Sequence, residues 1–196
     1  MTEYIADILT KNMITDGLIE EHEKSIYYYS IQVLIERIIG FSTIFLIAIL
    51  QRILLETVLF TLCFFNLRKY TGGFHTKTFI RCFIGTISIY SIYVKLIYPI
   101  LLNKIDINMV ILGGAGIVVF MLGAVNHPNM EWNKKEYEEN KMLARVTVLL
   151  EMLIIIIFAY LGMAEKYILF MSFGIILCAV LLLLGKIIGQ EVKCYE

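Results

Sequence analysis

A histidine and a cysteine lie seven residues apart in the stretch RKYTGGFHTKTFIRC, residues 68–82, between long apolar runs. A thiol attacks carbon only as its thiolate, and an imidazole that takes the proton completes a cysteine–histidine nucleophile. His75 and Cys82 are therefore candidates for base and nucleophile. On one unbroken helix their backbones would stand roughly 10 Å apart along the axis, too far for two short side chains to meet. If the two act together, the helix must break between them. The residues for a break are present. Gly72 and Gly73 free the backbone to turn just ahead of His75, and Thr76 and Thr78 are both candidate helix caps. With Thr78 as the cap, Cys82 falls in the first turn, where the helix dipole favours an anion and where Lys77 and Arg81 add positive potential. The same residues also have a plainer reading: a packing cysteine, a solvated loop histidine and the cations expected on one side of a membrane.

The elements that must hold this pair are membrane helices. Of 196 residues, 59% are hydrophobic and 17% charged, and the mean hydropathy is +0.79. Soluble domains rarely carry so much apolar content. Six apolar segments run near 26–50, 53–67, 79–102, 107–125, 146–164 and 167–189. A spanning helix needs about 20 residues. The second segment is short and begins at Glu56, and the first holds Glu36 and Arg37. The expectation is an all-α, polytopic membrane protein with four to six membrane segments, the first two spanning or partly re-entrant. Residues 1–196 read as one membrane domain, with an amphipathic interfacial N-terminus at 1–24 and the loop and helix start of interest at 68–82. In that N-terminus Ile5, Ile8, Leu9 and Met13 share one helical face, away from Glu3, Asp7 and Lys11. It has no basic start followed by an apolar core, so no cleavable leader is expected.

Charge sets the orientation. With both ends in the cytoplasm and six crossings, Lys11, Lys24, Arg68, Lys69, Lys77, Arg81, Lys134, Lys135, Lys141, Arg145, Lys186 and Lys193 fall inside. Only Arg52, Lys104 and Lys166 fall outside. Cytoplasmic loops carry such an excess of lysine and arginine. The cysteines at 63, 82, 178 and 194 form no Cys-x-x-Cys pair, and the histidines at 22, 75 and 127 are scattered, so neither a metal site nor a disulfide framework is expected. Gly113, Gly114, Gly116 and Gly123, and the Gly185-x-x-x-Gly189 pair, are candidates for close helix packing, within the chain or in a homodimer.

Two further residues are candidates for the chemistry. Glu36, an ionisable group inside an apolar segment, is a candidate third catalytic member or else a partner for Lys95. Gln32, four residues earlier on the same face, is a candidate oxyanion donor.

The run Arg68-x-x-x-Gly72-Gly73-x-His75 followed by Cys82, with the chain length, the order of apolar segments and the amphipathic N-terminus, resembles the accessory gene regulator B family. These are integral membrane cysteine endopeptidases of quorum-sensing systems. The resemblance implies a substrate of the accessory gene regulator D type, a propeptide with an amphipathic leader, a central signal segment and an acidic tail. It implies that Cys82 attacks at the junction of signal and tail, with His75 as base, leaving an acyl-thioester that an internal cysteine or serine resolves to a thiolactone or lactone. Arg68, Gly72, Gly73, Lys77 and Arg81 would then bind substrate or brace the loop. No cofactor and no nucleic acid are expected; the partners are the propeptide and membrane lipid. The second inside loop departs from the family's alanine-proline pattern, since Val125 follows Ala124 and Pro128 comes later. That departure bears on loop shape and substrate choice. The rival reading is a non-catalytic peptide transporter or export partner, with Glu36, Arg37 and Lys95 lining a pathway.

Overall fold

The computed structural model describes residues 2–74, 76, 78–126 and 132–190. Seven helices follow one another: α1 Thr2–Thr15, α2 Lys24–Leu50, α3 Leu54–Thr71, α4 Phe79–Leu101, α5 Ile105–Leu122, α6 Lys134–Tyr160 and α7 Glu165–Ile187. A single 3₁₀ turn, Glu21–Glu23, leads into α2, and α4 contains one π-helical turn at Tyr93–Ile97. Five of the helices, α2 and α4 to α7, are long and apolar enough to cross a membrane. The chain is a multi-pass membrane protein.

One of these helices extends well beyond its apolar run. α6 starts at Lys134, far ahead of the hydrophobic stretch, because Asn133 and Glu136 form a reciprocal cap: each side chain accepts from the other's backbone N–H, at 2.9 and 3.0 Å. Its first turns are polar and mostly exposed.

α3, the helix that looks least like a membrane span, lies at the centre. Its 18 residues make a rod about 27 Å long, and Glu56, Phe60, Cys63, Leu67 and Thr71 bury one face against α7. α7 makes the approach possible. A Cβ on its Gly174 would come within 2.9 Å of the Phe64 nitrogen and 3.0 Å of the Phe60 carbonyl oxygen. One turn on, the Cys178 thiol donates to the Phe64 carbonyl at 3.3 Å. Polar pairs join the remaining helices, since the lipid interior offers them no water. Asn66 on α3 donates to Glu151 on α6 at 2.9 Å, Asn108 on α5 to Ser172 on α7 at 2.9 Å, and Tyr93 on α4 to the Leu169 carbonyl at 2.7 Å. The Tyr93 ring also stacks on Phe173 at 3.7 Å between centroids.

The contacts sort the connections to two ends of the bundle. At one end Glu56, at the start of α3, pairs with Lys166 at the start of α7, 2.7 Å apart, and the Asn103 amide donates to Glu165. The other end holds residues 72–74 and 123–126 and the last turns of α7. α1 packs on α2 through Ala6 and Thr10, both fully buried. Ile5, Ile8 and Leu9 stay exposed on the adjoining face.

The glycine runs do less than their spacing suggested. Gly113 and Gly114 face open space; Gly116 meets the Met152 side chain of α6, and Gly123 the Lys141 side chain. Gly185 and Gly189 are not a shared packing face. Gly189 ends α7 with φ +71, the Gln190 amide donating to the Gly185 carbonyl at 3.0 Å. Gly185 serves the loop described next.

Candidate active site

α3 stops because Gly72 (φ 58, ψ −134) and Gly73 (φ 107) take backbone angles closed to residues with a Cβ. The turn they make is held from three sides. The Val125 amide donates to the Thr71 carbonyl at 2.9 Å, and Gly72 and Val125 form a parallel bridge that ties this loop to 123–133. The Phe74 amide donates to the Leu181 carbonyl of α7 at 2.8 Å. That last bond requires the loop to lie on α7 itself, which Gly185 permits: a Cβ there would stand 2.9 Å from the Phe74 nitrogen and 3.0 Å from the Gly73 carbonyl carbon.

Arg68 completes the brace from within α3. Its Nη2 donates to the Phe74 carbonyl at 2.7 Å, and its Nη1 donates to the Gly72 carbonyl. A planar guanidinium reaches both carbonyls at once, which a lysine ammonium does not. A Cβ on Gly73 would collide with the same guanidinium. Of the two roles considered for Arg68, this geometry is that of the loop brace. The positive charge also lies within electrostatic reach of Cys82 and Cys178.

His75 and Lys77 follow at once and lie outside the described residues, as do His127, Pro128 and Cys194. Beyond them Thr76 donates through its hydroxyl to the Thr78 carbonyl at 3.1 Å. Thr78 is extended (φ −136, ψ 145) and occupies the cap position of α4, though its hydroxyl makes no capping bond. Cys82 is the fourth residue of the helix. Its amide donates to the Thr78 carbonyl at 3.2 Å and closes the first turn. The thiol is exposed, whereas Cys63 and Cys178 are buried in the core. The first three turns of α4 bury little, since Tyr90 is the only buried residue of Phe79–Ile92.

The remaining candidates stand apart. Arg81 is exposed beside Cys82, and Lys69 lies over the Tyr70 ring at 4.5 Å. Gln32 donates to Glu36 at 3.0 Å within α2, so the pair satisfies itself and its amide is engaged. The expected alternative, Glu36 with Lys95, does not form: Lys95 sits in the π turn of the other half of α4 and is exposed. Among the described residues no cluster of three or more His, Cys, Asp or Glu could hold a metal. Sequence reading missed Val125 and Leu181, which hold the loop through backbone atoms and carry no side-chain signal. Gly185 is singled out by the sequence for close packing, and its neighbour is this loop.

In the neighbouring loop Asn126 clasps Trp132 in both directions, its Oδ1 accepting from the Trp132 amide and its Nδ2 donating to the Trp132 carbonyl, each at 3.1 Å. Tyr137 donates to the Ala124 carbonyl at 3.3 Å. The cationic start of α6 is thus held next to the glycine turn through Val125.

Fold and site define a helical, multi-pass membrane protein that presents, among the described residues, one exposed thiol at a helix start beside an arginine-braced glycine turn. Residues 2–183 match the family model described as accessory gene regulator B, and the chain belongs to that family, membrane peptidases that process autoinducing-peptide precursors in quorum sensing. An AgrB-like protein of Clostridium perfringens strain SM101 is 24% identical over 211 residues, covering 100% of this chain and 98% of that one. A second AgrB-like protein, from Clostridium perfringens strain 13, is 26% identical over the same shares. No solved structure matches.

Proposed function

We propose that this chain is a cysteine endopeptidase that removes the acidic C-terminal tail of an accessory gene regulator D type propeptide, with Cys82 as nucleophile and His75 as base. The observation that carries the reading is that the backbone is held at Phe74, just before His75, and again at Cys82. Arg68 and Leu181 hold the backbone up to Phe74, and the first turn of α4 holds Cys82. A catalytic pair needs such fixing because positioned groups react as if at very high concentration.

In the proposed reaction His75 takes the Cys82 proton. The thiolate attacks the carbonyl at the junction of signal and tail, and His75 then gives the proton to the departing amine. The signal segment stays on Cys82 as a thioester. Exchange of that thioester for an internal thiol keeps the bond energy, and a water-poor site favours closure over hydrolysis. Arg81, Lys69, Lys134 and Lys135, all exposed at this end of the bundle, steer the acidic tail. The excess of lysine and arginine at this end supports a cytoplasmic orientation for it.

The transporter reading needs Glu36, Arg37 and Lys95 along one inner pathway. Arg37 and Lys95 are exposed and Glu36 is bonded to Gln32, which disfavours it. The test follows propeptide cleavage by mass in membranes carrying wild type, Cys82→Ala or His75→Ala. Loss in both variants at unchanged membrane levels supports the pair. Continued cleavage by Cys82→Ala ends the peptidase mechanism.

A further inference from the structure

A nucleophile at the fourth position of a helix has used its own amide: the Cys82 N–H is bonded to Thr78. The tetrahedral oxyanion formed at Cys82 therefore needs another donor. Gln32, the donor expected from sequence, is bonded to Glu36. One turn beyond Cys82, on the same face of α4 and equally exposed, stands Thr86. Side chains four apart on a helix have Cβ atoms about 5–6 Å from one another. An oxyanion donor must come within about 3 Å of the developing oxygen, a reach that this spacing allows to an acyl oxygen carried on the Cys82 sulfur.

The Thr86 hydroxyl is also available. Threonines in helices usually donate to the carbonyl four residues back, as Thr10, Thr15, Thr43, Thr57 and Thr61 do here. Thr86 makes no such bond to Cys82 and has no hydrogen-bond partner among the described residues. Thr86 stands on an exposed helix face with its hydroxyl donor unused, one turn from the one exposed thiol described.

We propose that Thr86 is the oxyanion donor of the Cys82 reaction, an assignment that rests on the peptidase reading above. As the sulfur–carbon bond forms, the carbonyl π pair moves onto oxygen. The Thr86 O–H donates to that oxygen without giving up its proton. When the tail amine leaves, the pair returns and the thioester carbonyl is restored.

The experiment compares wild type, Thr86→Val, Thr86→Ser and Cys82→Ala in membranes, with an accessory gene regulator D type propeptide as substrate. Two rates are read: propeptide cleavage under saturating and limiting substrate, and alkylation of Cys82 by iodoacetamide, located by mass. Alkylation displaces iodide and forms no oxyanion. Thr86→Val is expected to lower kcat on the order of 10²-fold, with KM and alkylation unchanged, and Thr86→Ser to recover most of the loss. Wild-type kcat in Thr86→Val overturns the assignment, as does a parallel fall in alkylation or no recovery by serine. Cleavage by Cys82→Ala would instead overturn the peptidase reading itself, and Thr86 with it.

Discussion

Arg68 donates to the Phe74 carbonyl at 2.7 Å, so the last turn of α3 holds the residue that precedes His75. Its other terminal nitrogen holds Gly72. Charge-assisted bonds of this kind contribute about 1.5–3 kcal/mol each. Arg68→Lys keeps the charge and loses the fork. The expected outcome is normal membrane insertion with propeptide cleavage reduced roughly tenfold or more, read by mass against wild type at equal protein level. Cleavage at the wild-type rate would show that the brace does not hold the catalytic segment.

Gly185 carries the loop on its bare backbone. Gly185→Ala should push Phe74 off Leu181, at a cost of about 1–3 kcal/mol for overpacking, and cleavage should fall in step. Gly114→Ala is the control, since its Cβ meets open space; it should leave activity unchanged and raise helix stability by about 0.5–1 kcal/mol. Melting of the detergent-solubilised protein, with cleavage in parallel, separates the two. Equal behaviour of both variants would count against the close approach.

The Asn66–Glu151 bond is the polar contact between α3 and α6, and Glu151 Oε2 is buried with no partner among the described residues. Asn66→Ala strands the second oxygen too. A loss of about 1–3 kcal/mol is expected, with Glu151→Gln costing less because an amide is cheaper to bury than a carboxylate. Thermal melts of the two variants test the order; the reverse order would remove Asn66 as the partner that matters.

Lys166 stands over a buried carboxylate, Glu56, at 2.7 Å. Removing only the cation leaves an uncompensated buried charge. Lys166→Met should therefore melt lower than Lys166→Met/Glu56→Gln. A double variant no more stable than the single one would sink the pairing.

Much of the fold was legible in the sequence because lipid imposes strict patterns. Charge-free runs mark α5 and α7, and the lysine and arginine bias sorts the loops. α3 was harder. Glu56, Arg68 and Lys69 make it look too short and too polar to span, yet each polar end has a local partner, Lys166 at one and the loop carbonyls at the other. Tertiary partners of this kind leave no local pattern. The start of α6 was misjudged for the same reason, since hydropathy cannot see a cap such as Asn133 with Glu136. At the site, Gly72, Gly73 and Thr78 announced the turn and the helix start, because only certain backbones allow them. Glu36, by contrast, looked functional from its type alone, and its nearest partner proved to be Gln32 on its own helix.

The bond from Val125 to Thr71 makes the two loops at this end one exchangeable part. A chimera that takes a single loop from a relative must mate a foreign main chain to a resident one across that bridge. Grafts that move substrate preference between members, such as the two clostridial chains, should therefore travel as a pair of loops with the α7 glycine that seats them, and single-loop swaps should arrive inactive.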